Sequence, residues 1–332
     1  MYLIITLIGA AYFTINTSFG LESLSLQIIL ILIVSIIAFL CFNFPPATIF
    51  MGDSGSLSLG FLIASFVAPS TLNDYFLPIN TNTYPLYIGA LISISIAIVP
   101  VFDTAFVTIT RLLDSRKISQ GGRDHTSHRL AGLGLHERKV ITFFYFLSLT
   151  GLIISILITK YPTLWLPLVT FLLLIISMLG VYIGRIQVNF KSKNIRNFYP
   201  VNGEFALILL DIGLITLCFN AAFYLRFGIT ISGSSYDFLN SILPIIIGSG
   251  IVSFLFFGVY KRKWINLKYQ DIWVFSKASF GAVILSLAMV TLFLKFPDGN
   301  SRSVYLIFFF LLMPTTFVSR FTFSFLDKIL KK

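Results

Sequence analysis

Long apolar runs separated by short polar stretches set the pattern of this 332-residue chain, with neither a strand-like alternation nor a one-sided helical stripe. A helix needs about 17 to 25 predominantly apolar residues to cross the hydrocarbon of a bilayer. Runs of that kind fall at 2–19, 24–42, 56–71, 85–110, 140–159, 163–184, 204–225, 238–259, 276–296 and 304–325. The pattern predicts an all-α fold, a polytopic membrane helical bundle of about ten transmembrane helices. A basic, Asn-containing stretch at 186–202, ending at Pro200 and followed by Gly203, reads as a linker. It separates a membrane domain at 1–185 from a four-span membrane anchor at 203–332.

Composition agrees with the pattern. Hydrophobic residues make up 57% and charged residues 11% of the chain, and the mean hydropathy of +0.92 is far above that of a soluble domain. The positive charge then orients the bundle, because Lys and Arg concentrate in cytoplasmic loops. With the loop around Asp53 placed inside and the spans alternating, only Lys160, Arg226, Lys295 and Arg302 of the 24 basic residues fall outside. A net charge of +11 is accounted for by this orientation and by attraction to anionic membrane lipid, so nucleic acid is not an expected partner. Cys41 and Cys218 lie within apolar runs and read as packing residues. The first eighteen residues lack a basic leader and a cleavage site, and read as a span.

Three polar stretches carry candidate chemistry. Asn43 to Gly60 (NFPPATIFMGDSGSLSLG) sets Asp53 among glycines and hydroxyls between two spans. A carboxylate at the membrane edge is costly unless it pairs or binds a cation, which makes Asp53 a candidate ligand for a hard metal ion or a phosphate site. In the fourth span Pro100 interrupts the helical ladder and Asp103 follows, so a kink is expected to turn a carboxylate toward the bundle interior near Arg111. A structural pair between Asp103 and Arg111 is the plainer alternative. The hydrophilic segment 113–139 contains QGGRDHTSHRL, which gathers Arg123, Asp124, His125, His128 and Arg129. Guanidinium forks bind phosphate oxygens and imidazoles exchange protons near neutral pH, so this cluster suits a diphosphate. It lacks the thiols or HExxH spacing of a zinc site, and a charged loop at the headgroups is the reading without function. Gly-Asp-Ser-Gly-Ser at 52–56 resembles a serine-hydrolase nucleophile sequence only superficially, because a helical membrane bundle offers no histidine-and-acid scaffold around Ser54.

Taken together, FNFPPATIFMGDSGSLSLG at 42–60, VPVFD at 99–103 and GGRDHTSHRL at 121–130 resemble, in order and spacing, the C-terminal half of the polyprenyl-phosphate N-acetylhexosamine-1-phosphate transferases. The resemblance covers roughly residues 1 to 185. It implies transfer of a sugar-1-phosphate from a UDP-sugar to polyprenyl phosphate at the cytoplasmic face of the bacterial inner membrane. UMP is released, Mg²⁺ is the cofactor, and cell-surface glycan synthesis begins. By that resemblance Asp53, His125 and His128 are catalytic, with Asp53 the magnesium ligand, while Asn43, Asp103, Arg123, Asp124 and Arg129 contact substrate. Ser127 stands where the family often has a further histidine. The Asp-Asp and Asn-x-x-Asp-Gly motifs that the family places ahead of the Asp53 loop are absent, and Glu22 is the only acid before Asp53. The expectation is therefore half an active site, inactive unless a second polypeptide supplies the front half. The alternative is a non-catalytic membrane scaffold or gene fragment.

In the C-terminal part, AFYLRF at 222–227, GVYKRKW at 258–264 and SRSV at 301–304 resemble the four-span membrane anchor of nucleotide-sugar dehydratases and epimerases of polysaccharide biosynthesis. No G-x-G-x-x-G is present, so anchoring and not dinucleotide chemistry is expected here. Asp211 reads as an acid satisfied inside the bundle.

Overall fold

The computed structural model describes residues 2–15, 24–44, 47–49, 51–72, 86–113, 115–119, 122, 124–132, 136–184, 203–229, 233–261, 269–294 and 301–330, with the side chain of Asp53 outside that description. The expected linker at 186–202 and Arg123 also lie outside the described residues. All regular structure among the described residues is helical: α1 (Tyr2–Ile15), α2 (Leu24–Asn43), α3 (Gly52–Leu72), α4 (Leu86–Ile96), α5 (Ile98–Leu113), α6 (Thr126–Gly132), α7 (Glu137–Lys160), α8 (Trp165–Gly184), α9 (Gly203–Phe227), α10 (Gly233–Phe256), α11 (Tyr269–Leu294) and α12 (Arg302–Leu330). The chain is a multi-pass membrane protein, a polytopic helical bundle as its pattern predicts.

Among the described residues six helices are long and apolar enough to cross a membrane, or seven if α4 and α5, bent by 87° at their junction, form one broken span. Shorter apolar stretches lie within α1, α3 and α8, at Leu3–Ile15, Ser54–Phe66 and Trp165–Gly180.

The chain divides into two compact units, one running to Trp165 and one beginning at Leu166. The division precedes the expected linker, because α8 packs with the C-terminal helices. Leu174 of α8 buries against Leu210 and Leu214 of α9 and lies over Gly213.

In the first unit, α1 packs on α2, α3, α4 and α7, and α4 packs on α3 and α7. Where both lipid and protein are apolar, hydrophobicity cannot select which face of a helix turns inward. Small and hydroxyl-bearing residues mark the interfaces instead. The Ser155 hydroxyl of α7 donates to Ile92 O of α4 at 3.3 Å. One turn earlier, Gly151 lies so close to α4 that a Cβ there would stand 2.1 Å from the carbonyl oxygen of Ser95.

The second unit is built on the same logic around a larger aromatic core. Phe219 meets Phe308 edge to face with ring centroids 5.4 Å apart. Ser249 and Ser286 join α10 to α11 through hydroxyls 2.6 Å apart, and Ser253 donates to Ala278 O at 2.7 Å. Asp211 on α9 pairs through Oδ2 with Arg320 on α12, both side chains being fully buried, while its Oδ1 accepts no hydrogen bond among the described residues. Two opposite charges out of water hold each other, and either one alone would be stranded.

Two outcomes check this packing. Gly151→Ala should cost about 2 kcal/mol or more by overpacking against backbone and lower the thermal midpoint in detergent, whereas Gly60→Ala, which meets nothing within 4 Å, should not. Arg320→Met should destabilise by about 3 to 5 kcal/mol, and pairing it with Asp211→Leu should recover most of that loss in the same melting measurement.

Candidate functional site

The site is assembled on α5, whose direction is set by its break from α4. Its C-terminal end is closed by Ser115 in the left-handed region at φ 55°. The amide of Arg116 donates to Arg111 O at 2.8 Å and that of Ser115 to Leu112 O at 3.1 Å. This pairing satisfies the last helical carbonyls and reverses the chain.

The returning segment is held by charge. Arg111 grips Asp124 with two bonds, Nε to Oδ2 at 2.9 Å and Nη2 to Oδ1 at 2.7 Å, and it also donates to Ile118 O. Arg116 donates to Asp124 Oδ2 as well. Arg129 donates to Asp124 O at 3.1 Å, with its guanidinium 5.1 Å from the centroid of the Phe106 ring. The Asp124 side chain is 2% exposed. Hydrogen bonds from Arg111, opposed by burial and helped by the charges of Arg111 and Arg116, hold the Asp124 carboxyl well below the usual carboxylate range.

The start of α6 is held by Asp103. Its Oδ1 accepts from the Thr126 amide at 2.8 Å and the Thr126 hydroxyl at 2.6 Å, and its Oδ2 lies 2.8 Å from His125 Nδ1. An α5 carboxylate thus caps a separate seven-residue helix, doing what an N-cap side chain ordinarily does from within the chain. The alternative of an Asp103–Arg111 pair is not what forms. Eight positions along the helix set the two about 12 Å apart along its axis, and each finds a partner in the returning segment instead. His125 and His128 are both exposed, with ring centroids 6.5 Å apart.

The α2–α3 turn completes the arrangement. Asn43 Nδ2 donates to Ile49 O at 2.8 Å, and the Thr48 amide and hydroxyl both donate to Phe42 O at 2.9 Å. Gly52, at φ +69°, takes the left-handed conformation that starts α3, and Asp53 is the second residue of that helix. The guanidinium of Arg138, at the start of α7, lies 5.9 Å from the Phe44 ring. Since α6 packs on both α5 and α7, and Phe44 lies against the start of α7, the three sequence stretches lie toward one end of the first unit.

The structure therefore gathers Asp103, Asp124, His125, His128 and Arg129 into one cluster and brings Asn43 and the backbone of Asp53 to the same end. Asp124 and Arg129 are engaged in holding the loop, and Asn43 in holding its own turn. Sequence reading missed Thr126 and Arg116. The polar run Asp124-His125-Thr126-Ser127 ahead of Leu130 was a signal for a helix start. Among the described residues no three His, Cys, Asp or Glu side chains gather to hold a metal ion.

Residues 1–70 match the model of glycosyl transferase family 4. The chain is also similar to a probable undecaprenyl-phosphate N-acetylglucosaminyl 1-phosphate transferase of Bacillus subtilis, 36% identical over 197 residues, or 59% of this chain and 51% of the relative. It is 32% identical over 117 residues, 33% of this chain and 28% of the relative, to a decaprenyl-phosphate N-acetylglucosaminephosphotransferase of Mycobacterium leprae. A phospho-N-acetylmuramoyl-pentapeptide-transferase of Staphylococcus saprophyticus is 33% identical over 144 residues, 43% of this chain and 38% of the relative. The chain thus spans about half the length of the first of these relatives and less of the other two. No solved structure matches it.

The held carboxylate gives a pH test. With a depressed folded value, the stability that Asp124 contributes is fully present above its unfolded value of about 4 and is lost as pH falls below it. Asp124→Ala should reproduce that loss at neutral pH by leaving Arg111 and Arg116 facing each other. Limited proteolysis between residues 113 and 136 should accelerate both in the variant and in acidified wild type.

Proposed function

We propose that this chain carries one part of a polyprenyl-phosphate N-acetylhexosamine-1-phosphate transferase working at the cytoplasmic face of the bacterial inner membrane. A phosphate oxygen of the polyprenyl phosphate attacks the sugar-bearing phosphorus of a UDP-N-acetylhexosamine. The bond to the bridging oxygen breaks, UMP leaves, and a polyprenyl diphosphate sugar remains. Asp53 is the proposed ligand for Mg²⁺, which would neutralise the diphosphate when bound. His125 and His128 face the reacting phosphates, with Arg123 a candidate phosphate contact and Asn43 shaping the turn behind Asp53.

The observation that supports this reading is the convergence of the Asn43–Asp53 turn, Asp103 and the His125–His128 pair at one end of the first unit, although 82 positions separate Asn43 from His125. The similarity to transferases of polyprenyl phosphate supports it independently. A second polypeptide carrying further carboxylates is the proposed source of the remaining metal ligands. The alternative reading is a membrane scaffold with no transfer chemistry.

UMP release from UDP-N-acetylglucosamine and undecaprenyl phosphate in membranes separates the two readings. Release should require Mg²⁺ and fall at least roughly a hundredfold in Asp53→Asn, in line with losing a charge-stabilising group. Release from the purified chain alone would remove the need for a second polypeptide. No Asp53-dependent release, even in membranes of a host that makes the full pathway, would leave the scaffold.

A further inference from the structure

The Asp103 carboxylate is placed to determine which nitrogen of His125 carries the proton. Oδ1 already accepts from the Thr126 amide, which can only donate, and from the Thr126 hydroxyl, so Asp103 is an acceptor on that side whatever the imidazole does. Oδ2 faces His125 Nδ1 at 2.8 Å, and an ionised carboxylate can only accept there, which puts the ring proton on Nδ1. Nε2, on the opposite edge of the ring, is then left with its lone pair. The His125 side chain is 47% exposed, so that edge is open to a ligand. The titratable groups set against this imidazole in the described structure are Asp103 from α5 and His128 from α6, the latter with its ring centroid 6.5 Å away. No ion pair joins His125 to α7 among the described residues.

We propose that Asp103 is a positioning residue that locks His125 in the Nδ1–H tautomer, so that Nε2 serves as proton acceptor for a phosphate monoester. Its kinetic role rests on the transferase reading above. There, Nε2 takes the proton from the monoanion of the acceptor lipid phosphate, giving the dianion that attacks and an imidazolium that returns the proton to water. The tautomer itself follows from geometry alone.

The two levels are tested separately. The chain has only three histidines, so ¹⁵N-histidine spectra of the full chain in detergent micelles, with His125→Gln to assign the signal, report the tautomer directly. Wild-type His125 should show a protonated Nδ1 and an unprotonated Nε2 when neutral, and the reverse pattern would overturn the proposal without any variant having to fold. In Asp103→Asn the amide oxygen stays with Thr126 and the amide nitrogen faces Nδ1, so the signal should switch to Nε2–H. An unchanged spectrum would overturn the positioning role.

The same variant should lower the turnover of UMP release roughly a hundredfold with KM for the UDP-sugar little changed. The deficit should be largest near pH 6 and narrow above pH 8, because a phosphate monoester loses its second proton near pH 6 and then needs no acceptor. A deficit constant with pH would overturn the proton-acceptor role. If wild type releases no UMP at all, the transferase reading fails and the spectra still decide the tautomer.

Discussion

A backbone carbonyl that loses its partner inside a membrane must find another, and one such carbonyl organises the first unit. Pro100 has no amide hydrogen to give to Ile96 O, and its ring crowds that same carbonyl, so the ladder opens four residues before the proline. The helix stops at Ile96 and resumes at Ile98, turned by 87°. The Thr6 hydroxyl of α1 donates to Ile96 O at 3.4 Å, which lets the break persist away from water. Gly151 then allows α7 to close on the Ser95 carbonyl beside it. Everything about where Asp103 points, and hence where α6 begins, descends from that turn.

How much of this was legible depends on how local the cause is. Lipid imposes length and apolarity on any span, so the helical class and the approximate positions of the spans are readable from runs of residues alone. A proline acts on the carbonyl four positions before it, so a kink near Pro100 is readable too. The partner of Asp103 is not, because it depends on Ser115 taking a left-handed conformation that sends the chain back along α5. A serine there carries little local signal for it. The same is true of Arg111 and Asp124, which meet only after that reversal. Asp211 could be read as an acid needing a partner, yet Arg320 lies 109 positions away, and only tertiary packing selects it. The linker at 186–202 was marked by composition, while the division at Leu166 follows from Leu174 of α8 fitting against Gly213.

The two units handle charge by one rule with different results. In the second unit Asp211 and Arg320 are sealed from solvent and serve packing. In the first, Arg111, Arg116 and Arg129 converge on Asp124, through its carboxylate and its carbonyl. Neutralising that buried acid occupies much of the local positive charge. The imidazoles of His125 and His128 stay exposed on a segment already ordered beneath them.

The brevity of α6 follows through to its behaviour. Seven residues are too few for a helix to sustain itself by its own ladder, so its orientation is borrowed from Asp103 at its front and from Arg129 over Phe106 beneath. Anything that tilts α5 therefore carries His125 and His128 along as passengers, and the broken span acts as the tiller for the headgroup-side loop.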